Sequence, residues 1–176
     1  MFLDSLRRID YRLTETIQGW PPSWRPIMGG LTFLGEPLIV LAIGFTGFIS
    51  AVQRSESRVQ HAFFYGTLAF GINTLLKLLL HRRRPNDLRI TTLGVRSYSF
   101  PSGHAFGTVI FYGLFAYLDY KYLNKTWHLV VTGLLIGIIG LIGISRVYLK
   151  AHYPSDVIGG WLLGLISLVV IIELAF

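Results

Sequence analysis

Residues 145–156 read Ser-Arg-Val-Tyr-Leu-Lys-Ala-His-Tyr-Pro-Ser-Asp and separate two long apolar runs. Arg146, His152 and Asp156 therefore collect where a chain that leaves a membrane and returns to it would place a polar loop. A helix that begins near Pro154 would put Asp156 in its first turn, within reach of the His152 imidazole. A histidine followed by an orienting carboxylate is typical of a nucleophile or base with its partner. Basic residues that merely flank a membrane span are the ordinary alternative.

The composition around this stretch is that of an integral membrane protein. Of 176 residues, 52% are hydrophobic and 14% are charged, and the mean hydropathy is +0.55, which is too apolar for a soluble domain of this size. We find no repeat and no linker, so we expect a single membrane-embedded domain over residues 1–176. Five apolar runs approach or exceed the roughly 18 residues that cross a bilayer core of about 30 Å, namely 27–52, 62–80, 101–123, 127–145 and 156–176.

The charge balance indicates anionic partners. The net charge is +7, and because the basic residues lie in short loops, we assign it to lipid headgroups and an anionic substrate rather than to nucleic acid. The chain has no cysteine, which excludes disulfides and thiolate metal sites. We also expect no cleavable signal peptide, since the N-terminus has no uninterrupted apolar core.

The N-terminal segment, residues 1–26, predicts an amphipathic helix in the membrane interface. Its apolar residues recur at three- and four-residue steps with charged residues between them, so it is too polar to span. The sequence Trp20-Pro-Pro-Ser-Trp24 then breaks the helix. A helix packed against the bundle is a compatible alternative. The predicted fold class is all-α, with about five transmembrane helices in residues 27–176 and one interfacial helix before them.

Two features of the predicted spans bear on a site. Glu36 interrupts the first span, where a carboxylate is costly unless it is partnered or near a helix end. It therefore either pairs with a cation of the site or lies solvated at a broken helix start. Counting spans places the polar loops 82–100 and 146–155 on one side of the membrane, so the unusual polar chemistry lies on one face.

Lys77 and Arg84 precede Pro85 at the end of the second span. If the helix runs as far as Pro85, the two side chains project within about 20° of each other, two turns apart, and can contact one anion. Cations that snorkel from a span end are the ordinary alternative, and we expect that role for Arg82 and Arg83.

The sequence Pro101-Ser102-Gly103-His104 begins the third span. Proline suits the first position of a helix, serine offers a hydroxyl, and glycine allows close approach to the backbone. Free N–H groups at a helix start form an anion site. His104 would lie in the first turn beside that anion, although a lone histidine at a span end is more often structural.

These three groups of residues resemble the three signature motifs of the type 2 phosphatidic acid phosphatase superfamily. The motifs are complete, in the expected order and with the expected spacing. They read Lys77-(six residues)-Arg84-Pro85, Pro101-Ser-Gly-His104 and Ser145-Arg146-(five residues)-His152-(three residues)-Asp156. The sequence departs from the family at its start, because membrane members commonly have six spans and residues 1–26 stand in place of the first.

The resemblance implies hydrolysis of a phosphomonoester or pyrophosphate with no metal and no cofactor. It implies that His152 is the nucleophile, that Asp156 orients it, and that His104 acts first as general acid and then as general base. The phosphate-binding residues that it implies are Lys77, Arg84, Ser102, Gly103 and Arg146.

The sequence does not choose among lipid substrates. Phosphatidylglycerol phosphate, undecaprenyl diphosphate and phosphatidic acid all present a phosphate at the interface, as does a lipid A phosphate. A lipid phosphotransferase that uses the same site is an alternative, and a non-catalytic binder of anionic lipid is a different class. The resemblance implies a site on the outer face of a bacterial plasma membrane, whereas a count of basic residues that includes the N-terminal arginines favours the cytoplasm.

Overall fold

The chain folds as a bundle of helices. The computed structural model describes residues 2–85, 91–92, 95–96 and 98–176. A short 3-10 helix, Pro22–Trp24, joins the first two helices, and two short strands, β1 (Thr91–Thr92) and β2 (Val95–Arg96), pair antiparallel between the fourth and fifth helices. The helices are α1 (Phe2–Gln18), α2 (Arg25–Leu34), α3 (Pro37–Gln53), α4 (Ser57–Leu80), α5 (Gly103–Tyr122), α6 (Lys125–Tyr148) and α7 (Pro154–Ala175). The predicted all-α membrane fold is confirmed.

Four segments of the described chain are long and apolar enough to cross a membrane. They are Pro22–Gln53, Ser57–Leu80, Lys125–Tyr148 and Pro154–Ala175. The remaining predicted span corresponds to α5, which has 20 residues but whose most apolar stretch is less hydrophobic than those of the other four segments. Helix α5 contacts α3, α4, α6 and α7, and its first half is almost entirely buried. It is therefore the central helix of the bundle, surrounded by protein rather than by lipid.

The first predicted span consists of two helices rather than one. Helix α2 ends at Leu34 and α3 begins at Pro37. Glu36 occupies the N-cap position of α3 with extended backbone angles, φ −57° and ψ 132°. Proline suits the first turn of α3 because the N–H that it lacks would have no partner inside the helix. The break places Glu36 at a helix start, one of the two positions expected for it.

Helix α7 approaches the start of α5 very closely. A Cβ atom built on Gly160 would lie 2.7 Å from the carbonyl oxygen of Ser102, and one on Gly164 would lie 3.1 Å from the carbonyl oxygen of Phe106. Deeper in the bundle the core is aromatic and aliphatic, with Phe63 and Ile110 among its buried residues. Glycine on α7 thus allows the two backbones that carry the polar motifs to pack against each other.

Helix α1 ends at Gln18, before the predicted break, and packs on the ends of α6 and α7. Ile17 packs against a cluster that includes buried Val147, and the Gln18 side chain donates a 3.3 Å hydrogen bond to the Val147 carbonyl. Ile9 and Leu13 remain exposed on α1. Helix α1 therefore packs against the bundle, as the alternative prediction for this segment has it. Its exposed apolar residues can still contact lipid.

The polar connections meet at one end of the bundle, as the counting of spans predicts. Arg84 Nη1 donates a 3.0 Å hydrogen bond to the Ala151 carbonyl, which joins the α4–α5 connection to the α6–α7 connection. At the other end, Lys121 and Glu56 form an ion pair of 3.5 Å. Residues 86–90, 93–94 and 97 of the first connection lie outside the described residues.

The close approach of α7 to α5 predicts an unequal response to two similar substitutions. Gly160→Ala places a methyl group against a backbone carbonyl, and such overpacking costs about 1–3 kcal/mol. Gly137→Ala on α6 is the matched control, because a Cβ there would meet nothing within 4 Å and alanine favours a helix by up to about 1 kcal/mol. Thermal unfolding in detergent should show a lower midpoint for Gly160→Ala alone. Equal midpoints would contradict the close packing.

Candidate active site

His152 and Asp156 lie together in the buried centre of the polar end. Helix α7 begins at Pro154, so Asp156 stands in its first turn as predicted, and its Oδ2 accepts a 2.8 Å hydrogen bond from the Tyr153 amide. The two residues are 1% and 0% exposed. His152 Nδ1 and Asp156 Oδ2 are 3.6 Å apart, which is an ion-pair distance slightly longer than a hydrogen bond.

Ser99 is a third member of this group that the sequence did not indicate. Its hydroxyl donates to Asp156 Oδ2 and lies 3.5 Å from His152 Nδ1. Its amide donates a 2.8 Å hydrogen bond to the Arg82 carbonyl. No local pattern distinguishes Ser99 from other loop serines, because its contacts come from residues distant along the chain.

His152 is held in its neutral form. Burial lowers the pKa of His152 well below its ordinary value, and the positive charges of Lys77, Arg146 and Arg84 lower it further. A neutral imidazole has a free lone pair at neutral pH, which both a nucleophile and a base require.

The cations around His152 come from three separate parts of the chain. Lys77 Nζ on α4 donates to the Tyr98 carbonyl at 3.5 Å, and Arg146 Nη1 on α6 donates to the Thr32 hydroxyl at 2.5 Å. Arg146 Nε is buried, and none of the described residues accepts a hydrogen bond from it. Burial lowers the pKa of Arg84, while the negative charge of Asp156 raises it. The structure thus brings the three predicted cations together.

The predicted helical route to Arg84 is wrong. Helix α4 ends at Leu80, and His81 follows with a left-handed backbone, φ 50°. A residue in this conformation commonly ends a helix, although glycine is its usual occupant. Arg84 is therefore placed by the turn after α4, not by helical periodicity with Lys77.

Helix α5 starts two positions later than predicted. Ser102 is the N-cap, its hydroxyl accepts from the Ala105 amide at 3.5 Å, and Gly103 is the first helical residue. Pro101 therefore lies before the helix. The Ser102 amide donates a 3.0 Å hydrogen bond to the carbonyl of Asp156, so the helix N-terminus is attached directly to the residue beside His152.

Buried His104 pairs with half-exposed Glu36. His104 Nε2 and Glu36 Oε2 are 3.1 Å apart, with side-chain exposures of 9% and 45%. Glu36 thus satisfies both roles considered for it, since it pairs with a site residue and stands at a broken helix start. The break between α2 and α3 is what brings this carboxylate to α5.

Two further residues join the site. Asn73, one turn before Lys77, is buried, and within the described part of the chain neither of its side-chain polar atoms has a hydrogen-bond partner. Arg82 does not snorkel as predicted, because it forms ion pairs of 2.6 Å with Asp156 and 2.7 Å with Asp10. The charge of Arg82 is used inside the protein because two buried carboxylates require it.

This arrangement has the properties of a phosphoryl-transfer site. Two histidines, three cations and the N-terminus of α5 lie close together, and such groups stabilise an anion with charge on several oxygens. Residues 59–176 match the sequence profile of the PAP2 superfamily.

The chain belongs to the PAP2 superfamily. Phosphatidylglycerophosphatase B of Bacillus subtilis is 34% identical over 152 residues, which cover 82% of this chain and 72% of that protein. Dolichyldiphosphatase 1 of Homo sapiens is 29% identical over 169 residues, with 82% of this chain and 68% of that protein covered. An undecaprenyl-diphosphatase of Bacillus subtilis is 30% identical over 132 residues, 73% of this chain and 62% of that protein.

Solved structures agree with this membership. The transmembrane PAP2-type phosphatidylglycerolphosphate phosphatase of Bacillus subtilis superposes with a TM-score of 0.81 at 26% identity, covering 97% of this chain and 86% of that one. LpxE of Aquifex aeolicus has the same fold, with a TM-score of 0.70 at 21% identity over 93% and 94% of the two chains. The protein is accordingly a PAP2-type phosphatase of a membrane.

Proposed function

We propose that this PAP2-type lipid phosphatase hydrolyses the phosphomonoester or pyrophosphate of a membrane lipid in two steps, through a phosphohistidine on His152. The observation that carries the proposal is the setting of His152, a buried neutral imidazole beside Asp156 with three cations around it. The lipid character of the substrate is supported by the four apolar helices and by relatives that are named for phosphates of lipids.

In the first step His152 attacks the phosphorus atom. Nδ1 faces Asp156 and Ser99, so Nε2 is the atom available to form the P–N bond. Asp156 holds the Nδ1–H tautomer and stabilises the positive charge that develops on the ring. The bond from phosphorus to the leaving oxygen breaks, and His104 donates a proton to that oxygen.

In the second step His104 acts as a base. It takes a proton from water, the water oxygen attacks phosphorus, and the P–N bond breaks to release phosphate and restore neutral His152. Glu36, whose Oε2 lies 3.1 Å from His104 Nε2, orients the His104 ring and stabilises its protonated form, which exists before the first step and again after the second.

The phosphoryl oxygens are bound by Lys77, Arg84 and Arg146, together with Ser102 and the Gly103 amide. The transition state of phosphoryl transfer carries charge on its equatorial oxygens, so fixed positive charges stabilise it. Three cations supply the positive charge that a metal ion supplies in other phosphatases. We therefore propose that the reaction needs no metal.

Among lipids, phosphatidylglycerol phosphate is the first to test, because the relative named for it covers most of this chain. An undecaprenyl diphosphate, which is a pyrophosphate, is the second. Release of inorganic phosphate from each lipid in mixed micelles separates the two preferences.

The nucleophile predicts a covalent intermediate. His152→Ala should lower turnover by at least about a thousandfold, as loss of other covalent nucleophiles does. When the wild type is mixed briefly with ³²P-labelled lipid and quenched without acid, a phosphoprotein that is labile in acid and stable in base should be trapped. The same labelling should occur in excess EDTA. His61→Ala, an exposed histidine at the opposite end of α4, is the control and should keep wild-type turnover.

Near-normal turnover of His152→Ala would rule out the nucleophile. Loss of labelling in EDTA, with recovery on addition of Mg²⁺, would instead rule out the metal-free reaction.

If His104 is the proton donor, the rate loss on its removal should depend on the leaving group. His104→Ala should lower the rate for an alkyl phosphate by on the order of 10²–10⁴. The loss should be much smaller for an aryl phosphate, whose phenolate leaves without a proton. Paired rate measurements on the two substrates check this. Equal losses would show that His104 binds substrate without donating a proton.

We also propose that the site faces outward from the plasma membrane. Arg83→Cys lies at the site end and Lys125→Cys at the other, and both positions are exposed. Because the chain has no native cysteine, a membrane-impermeant maleimide reports on each position separately. In intact cells it should label position 83 and not position 125. The reverse pattern would place the site in the cytoplasm.

A further inference from the structure

A buried carboxylate on α1 reaches the polar end of the bundle. Asp10 is 7% exposed, and its oxygens accept hydrogen bonds from the Ser155 amide at 2.9 Å and the Ser155 hydroxyl at 2.6 Å. Arg82 Nη2 donates to the same carboxylate at 2.7 Å. Ser155 immediately precedes Asp156, so these contacts fix α1 to the first turn of α7.

Arg82 connects this carboxylate to the one beside His152. Its Nη1 donates to Asp156 Oδ1 at 2.6 Å and to the Ser155 hydroxyl at 2.7 Å. The guanidinium also lies over the Tyr153 ring, 4.7 Å from the ring centroid. A planar guanidinium with several donors in a fixed fork can bridge two carboxylates in this way, whereas the single ammonium of a lysine cannot match the geometry.

The two oxygens of Asp156 are therefore held by different groups. Oδ2 faces His152 and accepts from Ser99 and the Tyr153 amide, while Oδ1 accepts from Arg82. The contact with Arg82 fixes the rotation of the carboxylate about its terminal bond. Together with the two contacts of Oδ2, it sets where the oxygen that faces His152 lies.

We propose that Arg82 and Asp10 are positioning residues for the phosphoryl-transfer reaction, and that α1 is thereby part of the support of the nucleophile. Arg82 orients Asp156, Asp10 orients Arg82, and neither touches the phosphoryl group. The inference rests on the proposed function, since it concerns the residue that orients His152.

The burial of the two carboxylates distinguishes this network from a surface ion pair. Exposed pairs contribute little, and the Arg82 side chain is 33% exposed, but those of Asp10 and Asp156 are 8% and 0% exposed. Removing the arginine leaves both carboxylates short of a donor in a buried setting, so Asp156 has to rotate or recruit water. Either change moves the oxygen that faces His152.

The test uses the full-length protein in detergent and compares Arg82→Gln, Arg82→Lys, Asp10→Asn and the double variant Asp10→Asn/Arg82→Gln. The matched controls are Arg83→Gln, the exposed neighbour of Arg82, and Glu15→Gln, an exposed carboxylate on α1. Thermal unfolding verifies that each variant is folded. If Arg82→Gln does not fold, Asp10→Asn and Arg82→Lys carry the test.

Misplacement of a reacting group by about 1 Å can cost on the order of a hundredfold in rate. We therefore expect kcat to fall by about 10- to 100-fold in Arg82→Gln and by a smaller factor in Asp10→Asn, with KM within about twofold of wild type because substrate binding is untouched. The lysine variant should retain more activity than the glutamine variant. The double variant should be no slower than Arg82→Gln, because both changes act on one chain of contacts. The controls should match wild type.

A kcat within about twofold of wild type in both Arg82→Gln and Asp10→Asn would overturn the inference, as would a raised KM at unchanged kcat. An equal loss in the Glu15→Gln control would also overturn it, because the effect would then be one of charge. Failure of the proposed function would give a different result, because the wild-type protein itself would then release no phosphate and form no labelled phosphoprotein.

Discussion

A carboxylate with no exposed surface has to be surrounded by donors, and Asp156 is the residue on which this constraint falls. Its side chain accepts from Arg82, Ser99 and the Tyr153 amide, and its own carbonyl accepts from the Ser102 amide. These donors belong to both ends of the connection between α4 and α5, to the N-cap of α7 and to the N-cap of α5. Satisfying one buried acid thus brings together the segments that carry all three motifs.

Two cations of the site have neutral hydrogen-bond acceptors rather than carboxylates. Lys77 and Arg146 donate to a carbonyl and a hydroxyl, which are neutral acceptors, so these contacts orient the side chains without cancelling their charge. Their field acts on His152 and favours its neutral form. In the proposed reaction an incoming phosphate meets cations that are already oriented, and such orientation before the reaction is the main source of electrostatic catalysis. The carboxylates of Asp156 and Glu36 lie beside the histidines.

The sequence predicted the fold class and the grouping of the motif residues, because both depend on local patterns. Apolar runs indicate membrane-spanning helices, and the motifs lie at the ends of these runs. Contacts between residues distant along the chain were not predictable, which is why Ser99 and the Asp10–Arg82 pair were missed. The end of α4 was misplaced because His81, rather than a glycine, adopts the left-handed conformation. Arg82 was misread for a similar reason, since a basic residue at a span end gives no sign that a buried acid lies opposite.

The central position of α5 has a consequence for how the protein is made. Exposing His104 and Asp119 of α5 to lipid costs free energy unless other helices cover them. The chain, however, enters the bilayer before the bundle is complete. The more apolar α6 follows after two residues, Leu123 and Asn124. We expect the insertion machinery to admit α5 and α6 as one hairpin, with α6 supplying the hydrophobicity that α5 lacks. The polar side chains of the central helix would thus enter the bilayer together with the more apolar helix that follows it.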